Sequence, residues 1–230
     1  MTTLLAIVGM GKMGRAIEQL APDRGCEVVA RLDLPDTTQG ITVAMLNGAQ
    51  VAVEFTTPES AAANVRGLIE SGVATVVGTT GWYDALPGIE RQVKERNGAL
   101  LMATNFSLGV NAFESILAQA AAILSKAGGF DAHMIELHHS AKKDAPSGTA
   151  TTLEKAAAAS WGKRIPITSV RTGSIPGTHE VIFDAPFETI RLAHVARDRR
   201  VFAEGAIVAA KWLAGRHGVF TMKDVIQSKG

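Results

Sequence analysis

The segment Glu136–Thr149 holds the densest group of chemically useful side chains in the 230-residue sequence. Two of the six histidines, His138 and His139, and two lysines, Lys142 and Lys143, fall within it. An imidazole titrates near neutral pH and can act as a general acid, and a nearby ammonium group adds fixed positive charge. The segment predicts proton-transfer chemistry, although the two lysines taken alone would also suit a solvated surface loop.

The two histidines are expected to differ in role, because neighbouring residues on a strand face opposite ways. If the predicted strand Met134–His139 continues through the pair, Glu136 and His138 share one face and His139 lies on the other. One imidazole would then carry out chemistry while the other supports it or binds the substrate. Neighbouring histidines on a strand diverge, and no cysteine or carboxylate completes a recognisable ligand set, so no metal site is predicted.

Ser147, Gly148 and Thr149 are predicted to open a helix that runs to about Trp161. Ser147 can cap this helix, and Gly148 leaves the first main-chain N–H groups open to a ligand. Capping alone would explain Ser147, but it would not explain a glycine at the helix start. A histidine acid, an ammonium group and an anion-binding helix end together indicate a small substrate that carries a carboxylate.

A second candidate site follows the predicted strand Leu4–Val8, in a glycine-rich loop that opens a helix at 12–20. Glycines allow a tight turn and the close approach of a pyrophosphate, and the helix N-terminus supplies free N–H groups. The loop predicts dinucleotide binding, with an ordinary strand–helix turn as the alternative. Its residues are Gly9, Met10, Gly11, Lys12, Met13 and Gly14.

Asp33 closes the second predicted strand, 19 residues beyond Gly14. A carboxylate at this distance can accept hydrogen bonds from the adenosine ribose and would repel a 2′-phosphate. Leu34 cannot pair with that phosphate, whereas Arg31 could lie on the same strand face and partly compensate. The sequence therefore favours NADH over NADPH weakly; a solvated strand-end carboxylate is the alternative for Asp33.

Two further strand ends carry small and polar residues. In a doubly wound sheet, ligands bind beyond the carboxyl ends of the strands, where hydroxyl and amide groups can meet the nicotinamide or its ribose. The same residues could instead be simple turn formers. The candidates are Gly78, Thr79 and Thr80 after one strand, and Ala103, Thr104, Asn105 and Phe106 after the next.

Apolar runs rich in β-branched residues alternate with alanine-rich helical stretches up to about Leu108, which predicts a Rossmann-type, doubly wound parallel sheet. The later strand 189–194 alternates in polarity, as a sheet with one covered face requires. We therefore predict an α/β chain with a second, α+β domain built on a mixed sheet. The predicted strands are 4–8, 27–33, 51–55, 75–80, 100–105, 134–139, 181–183 and 189–194, and the helices are 12–20, 58–71, 85–97, 110–127, 148–161 and 202–213.

Composition excludes several classes of function. A net charge of +1 gives no general attraction to nucleic acid or to anionic membranes. Much of the 47% hydrophobic content is alanine, so no stretch of about 20 residues is expected to span a membrane. The N-terminal residues lead directly into a strand and are expected to belong to the fold rather than to a signal peptide. The single cysteine, Cys26, suits the reducing cytoplasm.

The segment Glu136–Ala150 resembles the signature of the dihydrodipicolinate reductase family, also called 4-hydroxy-tetrahydrodipicolinate reductase. The resemblance extends over most of the chain, through segments 9–14, 76–81, 105–111, 171–173, 176–181, 202–206 and 222–225. It implies reduction of a cyclic dicarboxylate by NAD(P)H in the diaminopimelate route to lysine, usually by a homotetramer assembled through the sheet of the second domain.

The resemblance also implies roles for individual residues. His138 resembles the general acid of the family, and Lys142 resembles a second proton donor. His139, Gly148 and Thr149 resemble contacts to the substrate, and the neighbouring Ser147 is counted with them. The glycine loop, Asp33 and the two later strand ends resemble cofactor contacts. It further implies that the last segment returns to the first domain, which gives a dinucleotide-binding domain of 1–108 with 201–230 and a substrate-binding and oligomerisation domain of 109–200.

Four departures from the family pattern surround the predicted cofactor site. The region Leu34–Gly48 is short, the glycine loop lacks one residue, Thr104 stands where proline is common, and Leu34 stands where some members have a basic residue. They bear on cofactor preference rather than on catalysis.

Two other functions stay open. One is a related nicotinamide oxidoreductase that acts on a small carboxylate or imine, and the other is a dinucleotide-sensing regulator, although the regulator should carry a recognition helix or a basic patch.

Overall fold

The computed structural model describes residues 2–228, which form two compact units. The first unit contains the described part of Met1–Leu108 and Arg200–Gly230, and the second contains Gly109–Arg199. Each unit has its own sheet and its own hydrophobic core.

The first unit contains a six-stranded sheet in which all paired strands are parallel. In the order in which they lie side by side, the strands are β10 (Gly218–Thr221), β5 (Ala99–Met102), β4 (Ala74–Val77), β3 (Val51–Glu54), β1 (Thr3–Val8) and β2 (Cys26–Leu32). Alternate residues of β1 enter two different cores: Leu5 and Ile7 enter one, and Ala6 and Val8 the other. Burial on both faces explains the unbroken apolar runs and confirms the predicted doubly wound sheet.

The α-helices of this unit, within the described residues, are α1 (Lys12–Leu20), α2 (Pro58–Glu70), α3 (Leu86–Glu95), α6 (Arg200–Leu213) and α7 (Met222–Gln227). The bounds of α1 agree with the prediction, and Pro58 takes the first position of α2 as expected. The short elements β10 and α7 were missed. A four-residue edge strand and a six-residue helix give too little periodicity to be read from sequence.

The second unit is built on a mixed sheet in the order β7 (Ile167–Arg171), β6 (Asp131–His138), β8 (Thr178–Ala185) and β9 (Glu188–Val195). Strand β6 runs parallel to β7 and antiparallel to β8, and β8 pairs antiparallel with β9. The prediction missed β7 altogether and found only the centre of β8. The missed strand lies at the edge and carries Thr168 and Ser169, so its hydrophobic signal is weak.

Helices α4 (Leu108–Ala127) and α5 (Gly148–Trp161) pack on one face of this sheet. Phe113, Leu117 and Leu153 from the helices meet Met134 and Phe183 from the strands. On β9, Ile190 and Leu192 are partly buried while Arg191 and Ala193 are exposed, as the alternation predicted. The bounds of α5 also match the prediction.

Helix α4 is long and apolar enough to cross a membrane, by length and composition only. The expectation that no such stretch exists was therefore wrong on that criterion, because leucine, isoleucine and phenylalanine are interspersed among its alanines. One such helix is weak evidence for a membrane span. Its residues Phe113, Leu117, Ala121 and Leu124 belong to the core of the second unit.

Candidate functional site

The inner face of β6 changes from apolar to polar toward the end of the strand. Met134 belongs to the core, and the next two residues on the same face are Glu136 and His138, both buried. The strand register places Glu136 beside Ser169 on β7 and beside His179 on β8. A polar row therefore crosses the sheet where a further apolar row would be expected.

Glu136 and His138 are in direct contact through Oε2 and Nδ1. Arg171 donates a hydrogen bond from Nη2 to Oε1 of Glu136 at 2.6 Å. Burial raises the pKa of Glu136, but the hydrogen bonds from Arg171 and Ser169 and the charges of His138 and Arg171 lower it to about 2. Glu136 is therefore a buried carboxylate that stays ionised at neutral pH.

The pKa of His138 is lowered, first by burial and then by the charges of Lys142 and Arg171, while Glu136 opposes the shift. Its ring meets His179 edge to face, with the ring centres 5.3 Å apart. Its Nε2 atom lies 3.1 Å from the point where a Cβ atom would stand at Gly177. A side chain at Gly177 would therefore crowd this edge of the imidazole, and a glycine at this position keeps a Cβ atom away from Nε2.

The loop after β6 carries Lys142, whose Nζ atom lies 2.7 Å from Oδ1 of Asp144. Arg171 reaches the same loop, because its Nη2 atom also donates to the main-chain oxygen of Asp144 at 2.6 Å. The structure thus brings together His138 and Lys142, the two residues expected to donate protons. Lys143 is exposed.

His139 lies just beyond the strand, because β6 ends at His138 rather than at His139 as predicted. The alternation of side chains along a strand therefore does not determine the direction of the His139 side chain. Its main-chain oxygen accepts a hydrogen bond from the N–H of Lys142 at 3.1 Å, which closes a turn. The His139 side chain is partly buried.

Ser147 caps α5 as predicted, since its Oγ accepts a hydrogen bond from the N–H of Ala150 at 3.1 Å. The same oxygen lies 3.3 Å from Nε2 of His179, and both side chains are buried. Gly148 is exposed and Thr149 is partly buried. The serine side chain is thus used inside the protein, whereas Gly148 presents its main chain at the surface.

His179 was not singled out from the sequence. Burial, followed by the charge of the neighbouring His138, lowers its pKa to about 4, so it is neutral at pH 7. The ligand atoms of Glu136, His138 and His179 lie within 4.8 Å of one another. The expectation of no metal site considered only the sequence neighbours of His138, whereas the sheet register adds the distant His179 to Glu136 and His138. The absence of a metal site therefore stays a prediction. The contact of Glu136 with His138 and its hydrogen bond from Arg171 account for this cluster without an ion.

The glycine loop of the first unit connects β1 to α1. A Cβ atom at Gly9 would lie 2.2 Å from the main-chain oxygen of Phe55, and one at Gly14 would lie 2.1 Å from that of Gly9. A Cβ atom at Gly78 would lie 1.9 Å from the ring of Phe55. Gly11 differs from these three, because an added Cβ atom there meets nothing within 4 Å.

Gly11 is also the N-cap residue of α1, and no side chain caps this helix end among the described residues. A cavity of about 470 Å³ lies beside it. The loop thus leaves space and helical N–H groups for a pyrophosphate, which fits a dinucleotide. The cavity is lined by Gly11, Lys12, Met13, Phe55, Thr56, Pro58, Gly78, Thr79 and Thr80.

Asp33 is exposed and lies just beyond β2, which ends at Leu32. Its Oδ1 accepts a hydrogen bond from the N–H of Leu34 at 3.1 Å. Arg31, the residue that might have been expected to compensate for a 2′-phosphate, is paired with Glu18 at 2.5 Å. The guanidinium group on this strand that lies nearest to Asp33 in sequence is thus already paired with a carboxylate of α1.

The side chains at the two later strand ends take part in local structure. The Oγ1 atom of Thr79 accepts a hydrogen bond from the N–H of Thr56 at 2.8 Å, and Oδ1 of Asn105 accepts one from the N–H of Ser107 at 2.9 Å. Phe106 is buried with its ring 5.5 Å from that of Phe55. The remaining candidates differ in exposure: Thr80 and Thr104 are exposed, while Met10, Met13 and Ala103 are partly buried.

Comparison with known proteins supports both units. The family model "Dihydrodipicolinate reductase, N-terminus" matches residues 3–106, and "Dihydrodipicolinate reductase, C-terminus" matches residues 109–226. A solved structure described as dipicolinate-bound dihydrodipicolinate reductase, from Paenisporosarcina sp. TG-14, has a TM-score of 0.84 at 22% identity. The match covers 97% of this chain and 99% of that one, which confirms the fold.

Two relatives named 4-hydroxy-tetrahydrodipicolinate reductase match at the level of sequence. The protein of Christiangramia forsetii is 33% identical, over 96% of this chain and 97% of its own. The protein of Thiobacillus denitrificans is 36% identical, over the full length of both. The resemblance inferred from the motifs is confirmed: the chain belongs to the dihydrodipicolinate reductase family of nicotinamide-dependent oxidoreductases.

Proposed function

We propose that the protein reduces 4-hydroxy-tetrahydrodipicolinate to tetrahydrodipicolinate with NAD(P)H, a step of the diaminopimelate route to lysine. Its relatives are named for this activity over the whole length of the chain. The observation that carries the proposal is the buried imidazole of His138, which is held by Glu136 and lies close enough to Lys142 for their charges to interact. This arrangement suits proton donation to a substrate that is itself negatively charged.

His138 acts as the general acid in this proposal, and Lys142 as a second proton donor. The lowered pKa of His138 leaves it largely neutral in the free protein at pH 7. A bound dicarboxylate would add negative charge beside it, raise the pKa and load the proton that the reaction consumes. The ammonium group of Lys142 offsets the negative charge that develops on the ring. A bound nicotinamide cofactor would supply the hydride for C4 of that ring, and the 4-hydroxyl group would leave as water, so that the reaction consumes one proton and releases one water molecule.

The substrate carboxylates are assigned to the start of α5 and to the loop before it. Gly148 presents its main chain at an exposed helix N-terminus, where the helix dipole favours an anion, and Thr149 is the next residue. Ser147 supports this end from inside by capping the helix. We assign the second carboxylate to His139 and Lys142, which lie in one turn.

The first unit is assigned to the cofactor, with the pyrophosphate at the exposed N-terminus of α1. Gly11, which has open space around it, supports this assignment better than the three glycines that packing requires. The nicotinamide end is assigned to the loops 78–80 and 103–106. Asp33 and the pairing of Arg31 with Glu18 both favour NADH over NADPH, and the preference is expected to be modest.

The open face of the second sheet supports assembly as a homotetramer. Helices α4 and α5 cover only one face, and the other carries Ile135, Leu137 and Ile182, while Val195 on the edge strand is 60% exposed. Apolar side chains on such a face need a partner surface. Light scattering after size-exclusion chromatography should give four times the chain mass, and Val195→Lys should lower it.

The proposed location is the cytoplasm, where the substrate and NAD(P)H are made. The single cysteine is buried and free, so the fold of the described residues contains no disulfide that would need an oxidising compartment. Fractionation of cells that express the tagged protein would test this location.

The deciding experiment follows NADH and NADPH oxidation separately, with substrate made freshly from pyruvate and aspartate semialdehyde. Wild-type protein should oxidise at least one cofactor, and His138→Asn should lower kcat by about 10²- to 10⁴-fold while NADH binding, measured by fluorescence, persists. His217→Asn is the matched control, because His217 is an exposed histidine outside both proposed sites, with its Nδ1 2.6 Å from the main-chain oxygen of Asn97. No oxidation by the folded wild-type protein would reject the proposal in favour of another carboxylate or imine substrate.

A further inference from the structure

The carboxylate of Glu136 makes two different contacts, one with each of its oxygens. Oε2 meets Nδ1 of His138, and Oε1 accepts the 2.6 Å hydrogen bond from Arg171. Among residues 2–228, neither Nδ1 of His138 nor Oε2 of Glu136 has a hydrogen-bond partner other than this contact. The Glu136 side chain is completely buried, so water does not compete for either oxygen.

Arg171 extends this contact to the loop that carries Lys142. Its Nη2 atom donates both to Glu136 and to the main-chain oxygen of Asp144, each at 2.6 Å. The carboxylate of Asp144 in turn lies 2.7 Å from the ammonium group of Lys142. One buried carboxylate thus connects, through a single guanidinium group, the strand that carries His138 and the loop that carries Lys142.

We propose that Glu136 is a positioning residue for the reduction: it keeps the proton of neutral His138 on Nδ1, so that Nε2 exchanges the catalytic proton, and through Arg171 it fixes the loop of Lys142. This proposal rests on the catalytic roles proposed above for His138 and Lys142. A Cβ atom at Gly177 would lie 3.1 Å from Nε2, so the glycine keeps a side chain away from the nitrogen that this proposal makes reactive. A neutral imidazole carries one proton, and an anionic acceptor at Nδ1 decides which nitrogen holds it.

The charges around the imidazole determine the direction of the pH effect. The groups that act on His138 are Glu136 on β6, Arg171 on β7, His179 on β8 and Lys142 in the loop, where the ammonium group of Lys142 is paired with Asp144. Glu136 favours the protonated imidazole, whereas Lys142 and Arg171 oppose it. Removing the carboxylate therefore lowers the pKa of His138, and removing the guanidinium raises it.

The test uses Glu136→Gln in the full chain, with ¹⁵N-labelled histidine observed by NMR and kcat measured against pH. We expect the proton of neutral His138 to move away from Nδ1 and kcat to fall on the order of 10²-fold. The pH limit set by His138, which is the pH above which kcat falls because His138 has lost its proton, should shift to lower pH. The KM for the cofactor should stay within about twofold, since this carboxylate belongs to the proton-transfer machinery. Glu136→Asp, which keeps the charge, should return the pH limit toward the wild-type position.

Arg171→Gln provides a second variant in case loss of the buried charge prevents folding. It keeps the contact between Glu136 and His138, so the Nδ1 proton signal should remain while the pH limit moves upward, opposite to Glu136→Gln. Glu154→Gln is the matched control, since Glu154 is another buried carboxylate of this unit that accepts a hydrogen bond from Ile165. That change should affect stability but neither the imidazole signals nor the pH limit.

The outcomes separate the proposal from its rivals. A Glu136→Gln protein with wild-type imidazole signals and pH limit would overturn it, as would a fall in kcat that only parallels lost stability. The protein should also keep full activity after extensive treatment with EDTA. If EDTA abolished the activity and a divalent cation restored it, the positioning role of Glu136 would be replaced by a metal site at Glu136, His138 and His179. The NMR measurement needs no turnover, so it stands even if the protein reduces a different substrate.

Discussion

The ammonium group of Lys142 lies 2.7 Å from the carboxylate of Asp144, two residues later in the same loop. Asp144 is largely exposed, so this ion pair is weak and easily exchanged. In the proposed reaction, a dicarboxylate substrate would bring a competing anion to the same ammonium group. The pairing would then hold Lys142 in place before the substrate binds without committing it to Asp144.

Lys142→Met should reduce kcat by about 10²-fold or more, because it removes a proton donor and a cation while preserving most of the side-chain volume. Steady-state kinetics at saturating NADH would measure this loss. Lys163→Met is the control, because Lys163 is an exposed lysine of the same unit that pairs with Asp131. Equal kinetics for the two variants would show that Lys142 belongs to the solvated surface.

Gly11→Ala should weaken NADH binding by at least about tenfold, which corresponds to ~1.4 kcal/mol, without destabilising the free protein. The reason is that an added methyl group at Gly11 meets no protein atom within 4 Å and therefore obstructs only a ligand. Gly14→Ala should instead lower Tm, since its Cβ atom would lie 2.1 Å from the oxygen of Gly9. Titration calorimetry and thermal melts of both variants would check the pair. Unchanged NADH affinity in Gly11→Ala would leave the loop as an ordinary turn.

Stability should fall as the pH is lowered from about 6.5 toward 4, and His179 should account for part of the loss. Its pKa is about 4 in the folded protein, below the usual value of 6.5 for histidine, so the unfolded chain binds its proton first. The stabilisation is complete above pH 6.5, and the most that His179 can lose is about 3 kcal/mol. His138 and His194, whose pKa values are also lowered, act in the same direction.

Urea unfolding at pH 7.5 and pH 5 would measure this dependence. His179→Gln should reduce the difference between the two pH values, whereas His217→Gln, at an exposed position of the first unit, should leave it as in the wild type. A His179→Gln protein with undiminished pH dependence would mean that other groups produce the effect.

Cofactor preference should move toward NADPH in the double variant Asp33→Ser, Glu18→Gln. The first change removes the charge that repels a 2′-phosphate, and the second frees the Arg31 guanidinium from its 2.5 Å ion pair. The ratio of kcat/KM for NADPH to that for NADH is expected to rise about tenfold, with most of the change in KM. Each single variant should give a smaller rise. A ratio that does not move would place the adenosine ribose away from Asp33.

Local patterns in the sequence predicted five of the six strands of the first sheet and the long helices, and they singled out candidate residues for both sites. The glycine loop lies between a buried strand and a helix, and Ser147 caps the predicted helix. Both features could be predicted because their signals depend on residues close together in the chain. The partners of His138 were harder to predict. Arg171 and His179 lie on strands β7 and β8 and reach Glu136 only through the sheet register, which no local pattern reveals. Strand β10 was missed because it is short and half-exposed, so its sequence shows no clear hydrophobic pattern.

The complete burial of Glu136 has a consequence for how such a protein can change during evolution. Its carboxylate, the imidazole of His138 and the guanidinium of Arg171 are packed against the same sheet as the hydrophobic core, so a substitution on these strands disturbs folding and proton transfer together. Apart from Lys142 and Ser147, the loop 139–147 is mostly exposed and should tolerate change more readily. New substrate preferences within this fold should therefore arise first in that loop, while the strands beneath it keep the acid chemistry constant.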